Sequence, residues 1–357
     1  MDIEQKEQFN QDLLAWYDTD ARVLPWRSDP QPYQVWVSEI MLQQTRVEAV
    51  KGYFDRFITA LPNIHALAEV DDDYLHKLWE GLGYYNRVRN MKKCAQVCVE
   101  EYQGILPGTY EELLALPGIG EYTAGAIASI AFGERVPAVD GNVLRVFSRL
   151  TLSYDDILLP KTKQKFQMVI QAMMPENARD FNQAVMEIGA MICVPNAAPR
   201  CNICPLSKHC HGYQEGKAHF LPVKTPKKKR KLLDKTIFVM IHHHQIGIRQ
   251  RPDDGLLASL YEFLSVDEKL TKKEAESLCM EQGYQISNMV RLPKAKHIFT
   301  HLEWHMQGYL CICDTVPNQV PLQYVTLQEI EHIYAMPTAL KVYREAAIQW
   351  LRSEGQE

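Results

Sequence analysis

The sequence has no apolar run long enough to cross a bilayer, which excludes a helical membrane span. Its opening stretch, Met1–Phe9, is polar and charged, unlike a secretory signal. A cytoplasmic protein with no membrane role is therefore expected. The cysteines number nine, an odd count, and without a signal that argues against a disulfide framework. Basic excess is missing too: 39 Lys and Arg face 44 Asp and Glu, a net charge of −5. Any hold on a polyanion must come from local patches and backbone groups, since the whole chain supplies no positive field. Neither an internal repeat nor a low-complexity tract beyond one lysine run is found.

What is present is an ordinary globular composition, 46% apolar and 23% charged, over 357 residues. That length exceeds what one core usually holds, so two or three domains are expected. Residues 1–213 read as helices. Apolar residues recur at helical spacing over Gln5–Tyr17, Tyr33–Gln44, Val47–Ala60, Ile64–Ala68, Tyr74–Leu82, Val88–Tyr102, Tyr110–Ala115, Tyr122–Phe132, Val143–Leu152, Thr162–Met174 and Arg179–Ile192. Residues 214–234 have little apolar periodicity and carry Lys224, Lys227, Lys228, Lys229, Arg230 and Lys231 within eight positions. They read as a basic interdomain linker, either a solvated tether or one that also touches phosphates. Beyond it the period shortens. Thr236–His243, Ile246–Arg251, His297–Thr300 and Met306–Cys313 look like strands, and Lys272–Gln282 and Leu327–Ile333 like helices. This predicts a separate α+β domain over 235–357.

Four cysteines crowd into Cys193-x7-Cys201-x2-Cys204-x5-Cys210. Four thiolates so close can close around one centre, zinc or an iron–sulfur cubane. Zinc sites often use two C-x2-C pairs, and only one is present, so the spacing leans towards a cluster. His209 and His211, flanking Cys210, read as surface residues. The other five, Cys94, Cys98, Cys279, Cys311 and Cys313, read as packing residues.

Leu116-Pro117-Gly118-Ile119-Gly120 separates two helical patterns. Two glycines two apart permit positive φ and a tight reversal, and the N–H groups at the next helix start form an anion nest. Such a helix-hairpin-helix clamps phosphate without reading sequence. Asp140 precedes the helix Val143–Leu152, where it can cap and also present a carboxylate. Glu39 lies among Val35, Trp36, Ile40, Met41 and Leu42. It is either on the polar side of its helix or buried, in which case its pKa rises and it becomes a proton donor.

Taken together these residues resemble the endonuclease III superfamily of base-excision DNA glycosylases. Finer motifs are similar to its adenine DNA glycosylase (MutY-type) branch: Leu24-Pro25-Trp26-Arg27, the run Val37–Thr45, Gly81-Leu82-Gly83-Tyr84-Tyr85, the run Pro117–Ala124, and Val139-Asp140-Gly141-Asn142-Val143. The resemblance implies a mainly α fold: a catalytic domain over 1–213, built of a six-helix barrel module at about 27–132 and an iron–sulfur module from the N-terminal helix and 133–213. A Nudix-like α+β domain would follow. Arg251-Pro252, the run Gly255–Phe263 and His297-Ile298-Phe299-Thr300-His301 carry that second match. The acidic Arg-Glu-x-x-Glu-Glu box of Nudix hydrolases is missing, so this domain is expected to bind and not to hydrolyse.

The resemblance also implies roles. Glu39 would protonate adenine at N7 and Asp140 would stabilise the cationic sugar, with Tyr122 and Asn142 orienting them. Tyr122 stands where bifunctional relatives place a lysine that forms a Schiff base, so a monofunctional enzyme without strong lyase activity is expected. Arg27, Trp26, Leu42 and Gln183 would line the adenine pocket, Gly118 and Gly120 would hold the backbone, and Gln44 and Tyr84 would fill and wedge the duplex. Phe299, Thr300 and His301 would contact 8-oxoguanine. The implied partner is double-stranded DNA with A:8-oxoguanine or A:G mispairs, met by a monomer of bacterial, nucleoid-associated type that prevents G:C to T:A mutation. The implied cofactor is a [4Fe-4S] cluster on Cys193, Cys201, Cys204 and Cys210. The family's usual first spacing is x6; here it is x7, and a bulge at Asn196-Ala197-Ala198 is expected to absorb the extra residue. The competing readings are a thymine-glycol or pyrimidine-mismatch glycosylase of the same superfamily and a zinc-containing DNA-binding scaffold without chemistry.

Overall fold

A computed structural model describes residues 2–195, 197–226, 229–317 and 322–354. Asn196, within the expected bulge, and Lys227 and Lys228, within the basic run, lie outside the described residues. The chain divides into two compact units, residues 1–69 with 89–226 and residues 70–88 with 227–357. None of the described helices is long and apolar enough to cross a membrane.

The chain forms helices α1 (Ile3–Asp20), α2 (Pro25–Ser28), α3 (Pro32–Leu42), α4 (Val47–Ala60), α5 (Ile64–Glu69), α6 (Asp72–Leu78) and α7 (Asn86–Glu101). There follow α8 (Tyr110–Ala115), α9 (Glu121–Phe132), α10 (Gly141–Leu150), α11 (Pro160–Met173), α12 (Ala178–Met191) and the short α13 (His211–Gln214). Sequence sets their starts. Asp2 and Gln5 form a reciprocal capping box at α1, and Asp71, Thr109 and Asn177 cap α6, α8 and α12. Proline opens α2, α3 and α11, where its missing N–H costs no helical bond.

Within the first unit, α3 packs against α9, and α12 against α1, α9 and α10. Phe9 and Leu13 of α1, Val143, Val146 and Phe147 of α10, and Phe181 and Ile188 of α12 share one core. Helix α3 is buried from Val35 to Met41, on its polar positions as well as its apolar ones. The expected helix Tyr33–Gln44 ends at Leu42, because Gln44 adopts a left-handed φ of 61°.

In the second unit, strands β1 (Lys231–His242), β2 (Gln245–Gln250), β3 (Tyr261–Glu262), β4 (Leu264–Val266), β5 (Gln285–Ile298), β6 (Leu302–Thr315) and β7 (Gln323–Val325) form a mixed sheet. Its main order is β3-β2-β1-β6-β5, with β4 on β1 and β7 on β2. Among the described residues only the β1–β6 pairing is parallel, running from Lys231↔Leu302 to Ile241↔Ile312. Ile237, Val239 and Ile241 of β1 enter one core; Phe238 and Met240 enter the other. That period of two buries both faces. Helix α14 (Lys272–Glu281) covers one face. Helix α16 (Lys341–Glu354) covers the other, with the short α15 (Leu327–His332) beside it.

Several boundaries differ from expectation. The strand expected at His297–Thr300 is the end of β5, which starts at Gln285. Phe299, Thr300 and His301 form the reversal into β6, closed by the Phe299 N–H on the Leu302 carbonyl. Most of β5 is solvent-exposed, which hides its alternation. Strand β1 starts at Lys231, ahead of the expected Thr236, because the Lys231 N–H pairs with the His301 carbonyl. Helix α16 was not anticipated, although Tyr343, Ala347 and Leu351 recur every four residues. The short helix α13 ends at Gln214, the first residue of the expected linker.

Candidate active site

A cavity of about 1170 Å³ opens within the first unit. Trp26, Arg27, Glu39, Leu42, Gln44, Gly118, Gly120, Tyr122, Asp140, Asn142 and Gln183 all line it. These positions span the chain from residue 26 to residue 183, and the packing of α3, α9, α10 and α12 gathers them.

Glu39 sits in the middle of α3 and is only 6% exposed. Of its two sequence readings, burial is the one realised. The Tyr122 hydroxyl donates to Glu39 Oε2 at 2.5 Å. Burial pushes the Glu39 carboxyl up and the Asp140 charge adds to this, outweighing the Tyr122 hydrogen bond and the Arg27 charge. Burial also drives the Tyr122 phenol well above its ordinary value, so it remains a donor.

Asp140 caps α10 and faces the cavity, so its two expected roles coexist. Its Oδ1 accepts the N–H groups of Asn142 and Val143, both at 2.8 Å. Its Oδ2 accepts Asn142 Nδ2 at 2.7 Å. Burial nevertheless raises its carboxyl, and these donors only temper the shift. Asn142 Oδ1 in turn accepts Arg145 at 3.0 Å, and the same guanidinium donates to the Gly189 carbonyl and, at 2.8 Å, to the Cys193 carbonyl. A continuous chain of hydrogen bonds thus links Cys193 to Asp140.

Three charged residues lay outside the sequence reading. Glu187, on α12, accepts Arg22 at 2.5 and 3.0 Å and Arg27 at 2.9 Å. Burial alone would raise its carboxyl; the two guanidinium groups outweigh burial and hold it low. Glu187 thereby fixes the Arg27 guanidinium at the cavity wall. The available signal was its spacing: Glu187 follows Gln183 by one helical turn and so shares its face. Arg145 follows Asn142 by three, a shorter version of the same signal.

The reversal Leu116–Gly120 joins α8 to α9. Only one of its glycines needs positive φ. Gly118 has φ 75°, and a Cβ there would fall 2.5 Å from Asn90 Cβ. Gly120 is extended at φ −96°, so only Gly118 uses the positive φ that the glycine pair permits. Without a capping side chain at Gly120, the first N–H groups of α9 stay available.

The four clustered cysteines line a second cavity, walled by Val146, Leu150, Ile188, Ile192 and Leu206. Arg149 donates to Cys193 Sγ at 3.1 Å and to the Val194 carbonyl at 3.0 Å. Burial pushes the Cys204 thiol up to about 12 and raises Cys201 and Cys210. Among the described residues, no three His, Cys, Asp or Glu side chains converge as a single-ion site. His209 is not a plain surface residue: its ring contacts Asp12 at 2.8 Å and packs edge-on against Phe9. His211 is exposed. Cys94, Cys98, Cys279, Cys311 and Cys313 are all buried.

Tyr84, Phe299, Thr300 and His301 belong to the second unit. Tyr84 is half exposed with φ 49°. Phe299 packs edge-on between His297 and Trp304, and Thr300 and His301 are exposed.

Comparison with known proteins sets this geometry in a family. Residues 37–172 match the HhH-GPD superfamily of base excision DNA repair proteins, and residues 236–346 match the NUDIX domain. The solved structure of a thermostable thymine-DNA glycosylase is 29% identical, with a TM-score of 0.53 over 59% of this chain and 98% of its own. A trapped endonuclease III–DNA covalent intermediate is 25% identical, with a TM-score of 0.50 over the same shares. Fold and site together define a DNA glycosylase, an N-glycosyl hydrolase of the helix-hairpin-helix superfamily, followed by a Nudix-like domain. The adenine DNA glycosylase of Buchnera aphidicola (subsp. Schizaphis graminum) is 37% identical over 84% of this chain and 86% of its own length. That of Mus musculus is 32% identical over 96% and 78%. The chain belongs to the adenine DNA glycosylase family.

Proposed function

We propose that the protein hydrolyses the N-glycosidic bond of adenine mispaired with 8-oxoguanine or guanine in duplex DNA, and that it is monofunctional. The observation that carries this reading is the acid pair: Glu39, raised by burial and held by Tyr122, with Asp140 fixed at the head of α10 in the same cavity. Base departure leaves an anionic purine and a cationic sugar. Glu39, protonated, donates to adenine N7, and the base leaves neutral. The Asp140 carboxylate lies beside the positive charge that develops on the sugar. Glu39, now ionised, takes the proton of the attacking water, and its oxygen bonds to the sugar. This parallels glycoside hydrolysis by two carboxylates.

A phenol at Tyr122 forms no Schiff base, which supports hydrolysis without strong lyase action. The base must leave the stack to enter the cavity. Arg27 held by Glu187, with Trp26, Leu42 and Gln183, supplies its walls, and Gln44 lies at the same cavity. The reversal at Gly118 and the bare start of α9 suit a phosphate. Adenine is a normal base, so specificity must come from its partner; Tyr84 and the Phe299–His301 turn are assigned to it. The sequence lacks the acidic Nudix box, which supports binding without hydrolysis there.

Cys193, Cys201, Cys204 and Cys210 would hold a [4Fe-4S] cluster. Four thiols lining one apolar cavity fit a group held by four thiolates. When bound, it would supply iron–thiolate bonds that tie 193–210 together, and four thiolates would leave it no open ligand position. A brown, iron-containing protein is expected; a colourless one with stoichiometric zinc would overturn the assignment.

Alkali-induced strand cleavage of a duplex holding A opposite 8-oxoguanine tests the activity. Wild type should cleave and Glu39→Gln should lose about a hundredfold or more of the rate. Absence of wild-type cleavage, or full activity of Glu39→Gln, sinks the mechanism. A high yield of borohydride-trapped protein–DNA adduct would sink the monofunctional reading.

A further inference from the structure

Residues 70–88 fall inside the helix-hairpin-helix match at 37–172, yet they form one compact unit with 227–357. The contacts explain why. The last turn of α15 leaves carbonyls without intrahelical partners, and cations are favoured there. Lys77 Nζ donates to the carbonyls of Ile330 and Tyr334 at 3.4 and 3.2 Å and to Glu80 at 2.9 Å, which occupies all three of its donors. Arg344 takes the Ile330 carbonyl at 2.9 Å and Glu80 Oε1 at 3.2 Å. Glu80 Oε1 also accepts the Met336 N–H at 2.9 Å. One carboxylate thus joins two cations and a backbone N–H. Lys77, Glu80 and Arg344 are 13–22% exposed, and Tyr261 donates to Asp73 at the other end of α6.

From Glu80 the restraint runs on to Tyr84. Gly81 and Gly83 both have positive φ. The Gly83 carbonyl, one residue before Tyr84, accepts Trp79 Nε1 at 3.0 Å and Arg87 at 3.1 Å. The Arg87 guanidinium lies over the Trp79 and Tyr84 rings. Tyr84 is exposed at the end of a loop whose root is bonded to the C-terminal part of the chain.

We propose that Glu80 is a positioning residue. With Lys77 and Arg344 it locks the Tyr84 loop to the sheet-bearing part of its unit, so that Tyr84 and the Phe299–His301 turn meet the duplex as one body. The consequence for base recognition rests on the assignment of Tyr84 made above; the lock itself does not.

Hydrogen exchange on the full chain without DNA tests the lock. Peptides over 79–85 should exchange at least about tenfold faster in Glu80→Gln and in Arg344→Met, the scale of one lost charge-assisted hydrogen bond. Unchanged exchange in both variants overturns the proposal. The second readout is the rate preference for A:8-oxoguanine over A:G under single turnover. Glu80→Gln should lower it towards the value of Tyr84→Ala, with the double variant no lower than Tyr84→Ala. Effects of Glu80→Gln and Tyr84→Ala that multiply would overturn the link between lock and wedge. Faster exchange with no change of preference in Tyr84→Ala would uphold the lock and remove the Tyr84 assignment instead.

Discussion

Glu39 and Asp140 are two buried acids with different neighbours, and those neighbours divide the work. Asp140 accepts three donors, two of them backbone N–H groups at a helix start, which favour its ionised form. Glu39 receives one hydroxyl and is buried along with most of α3. Both are raised, but Glu39 has less to stabilise its charge. A raised folded-state pKa means that stability is full below the unfolded value and is lost as pH rises through the folded one. Glu39→Gln should therefore melt above wild type, by a margin that widens as pH rises above the ordinary carboxylate range in a series of thermal scans. A constant margin would contradict the burial argument. Glu187 has the opposite sign. Its carboxyl is held low by Arg22 and Arg27, so its contribution is present above the unfolded pKa and fades as pH falls through the folded one. Glu187→Gln should be destabilised most at neutral pH and converge on wild type in acid.

At the scale of elements, the head of α10 and the reversal before α9 carry the site. Asp140 does two things there, and substitution can part them. Asparagine keeps a capping oxygen and alanine does not. Asp140→Asn should keep near-native denaturant stability and lose base excision, whereas Asp140→Ala should also lose about 1 kcal/mol. Equal stability of the two would deny the cap. Gly118→Ala meets both a left-handed backbone and the Asn90 side chain, and should cost about 1–2 kcal/mol from the conformation alone. Weaker DNA binding should accompany it. Gly120→Ala meets open space at an extended residue and should leave stability nearly unchanged.

At the scale of the whole molecule, the Cys193 carbonyl and Asp140 sit at opposite ends of one hydrogen-bonded chain through Arg145 and Asn142. On the proposed cluster assignment, iron removal by a chelator should lower the melting temperature and slow excision together. Full activity of iron-free protein would separate the two. The compact units, too, do not follow the order of the chain, since 70–88 folds with 227–357.

The helix starts, the mainly α then α+β order, the hairpin and the four-cysteine run were legible in the sequence, because caps, glycines, apolar period and ligand spacing are local. Motif resemblance carried Glu39, Tyr122, Asp140 and Asn142 as well. Long β5 was not legible, since its exposed residues carry no alternation, and Phe299 and Thr300 of the turn were read as strand for the same reason. Glu187 and Arg145 carried only their helical spacing from Gln183 and Asn142, and Arg22 was silent, because an ion pair between residue 22 and residue 187 leaves no mark that names the partner. The sequence by itself determined which acids and thiols are available. Only tertiary packing decided that Glu39 is buried, that Glu187 orders Arg27, and that Tyr84 is held from the far end of the chain, because burial and pairing depend on neighbours distant in sequence.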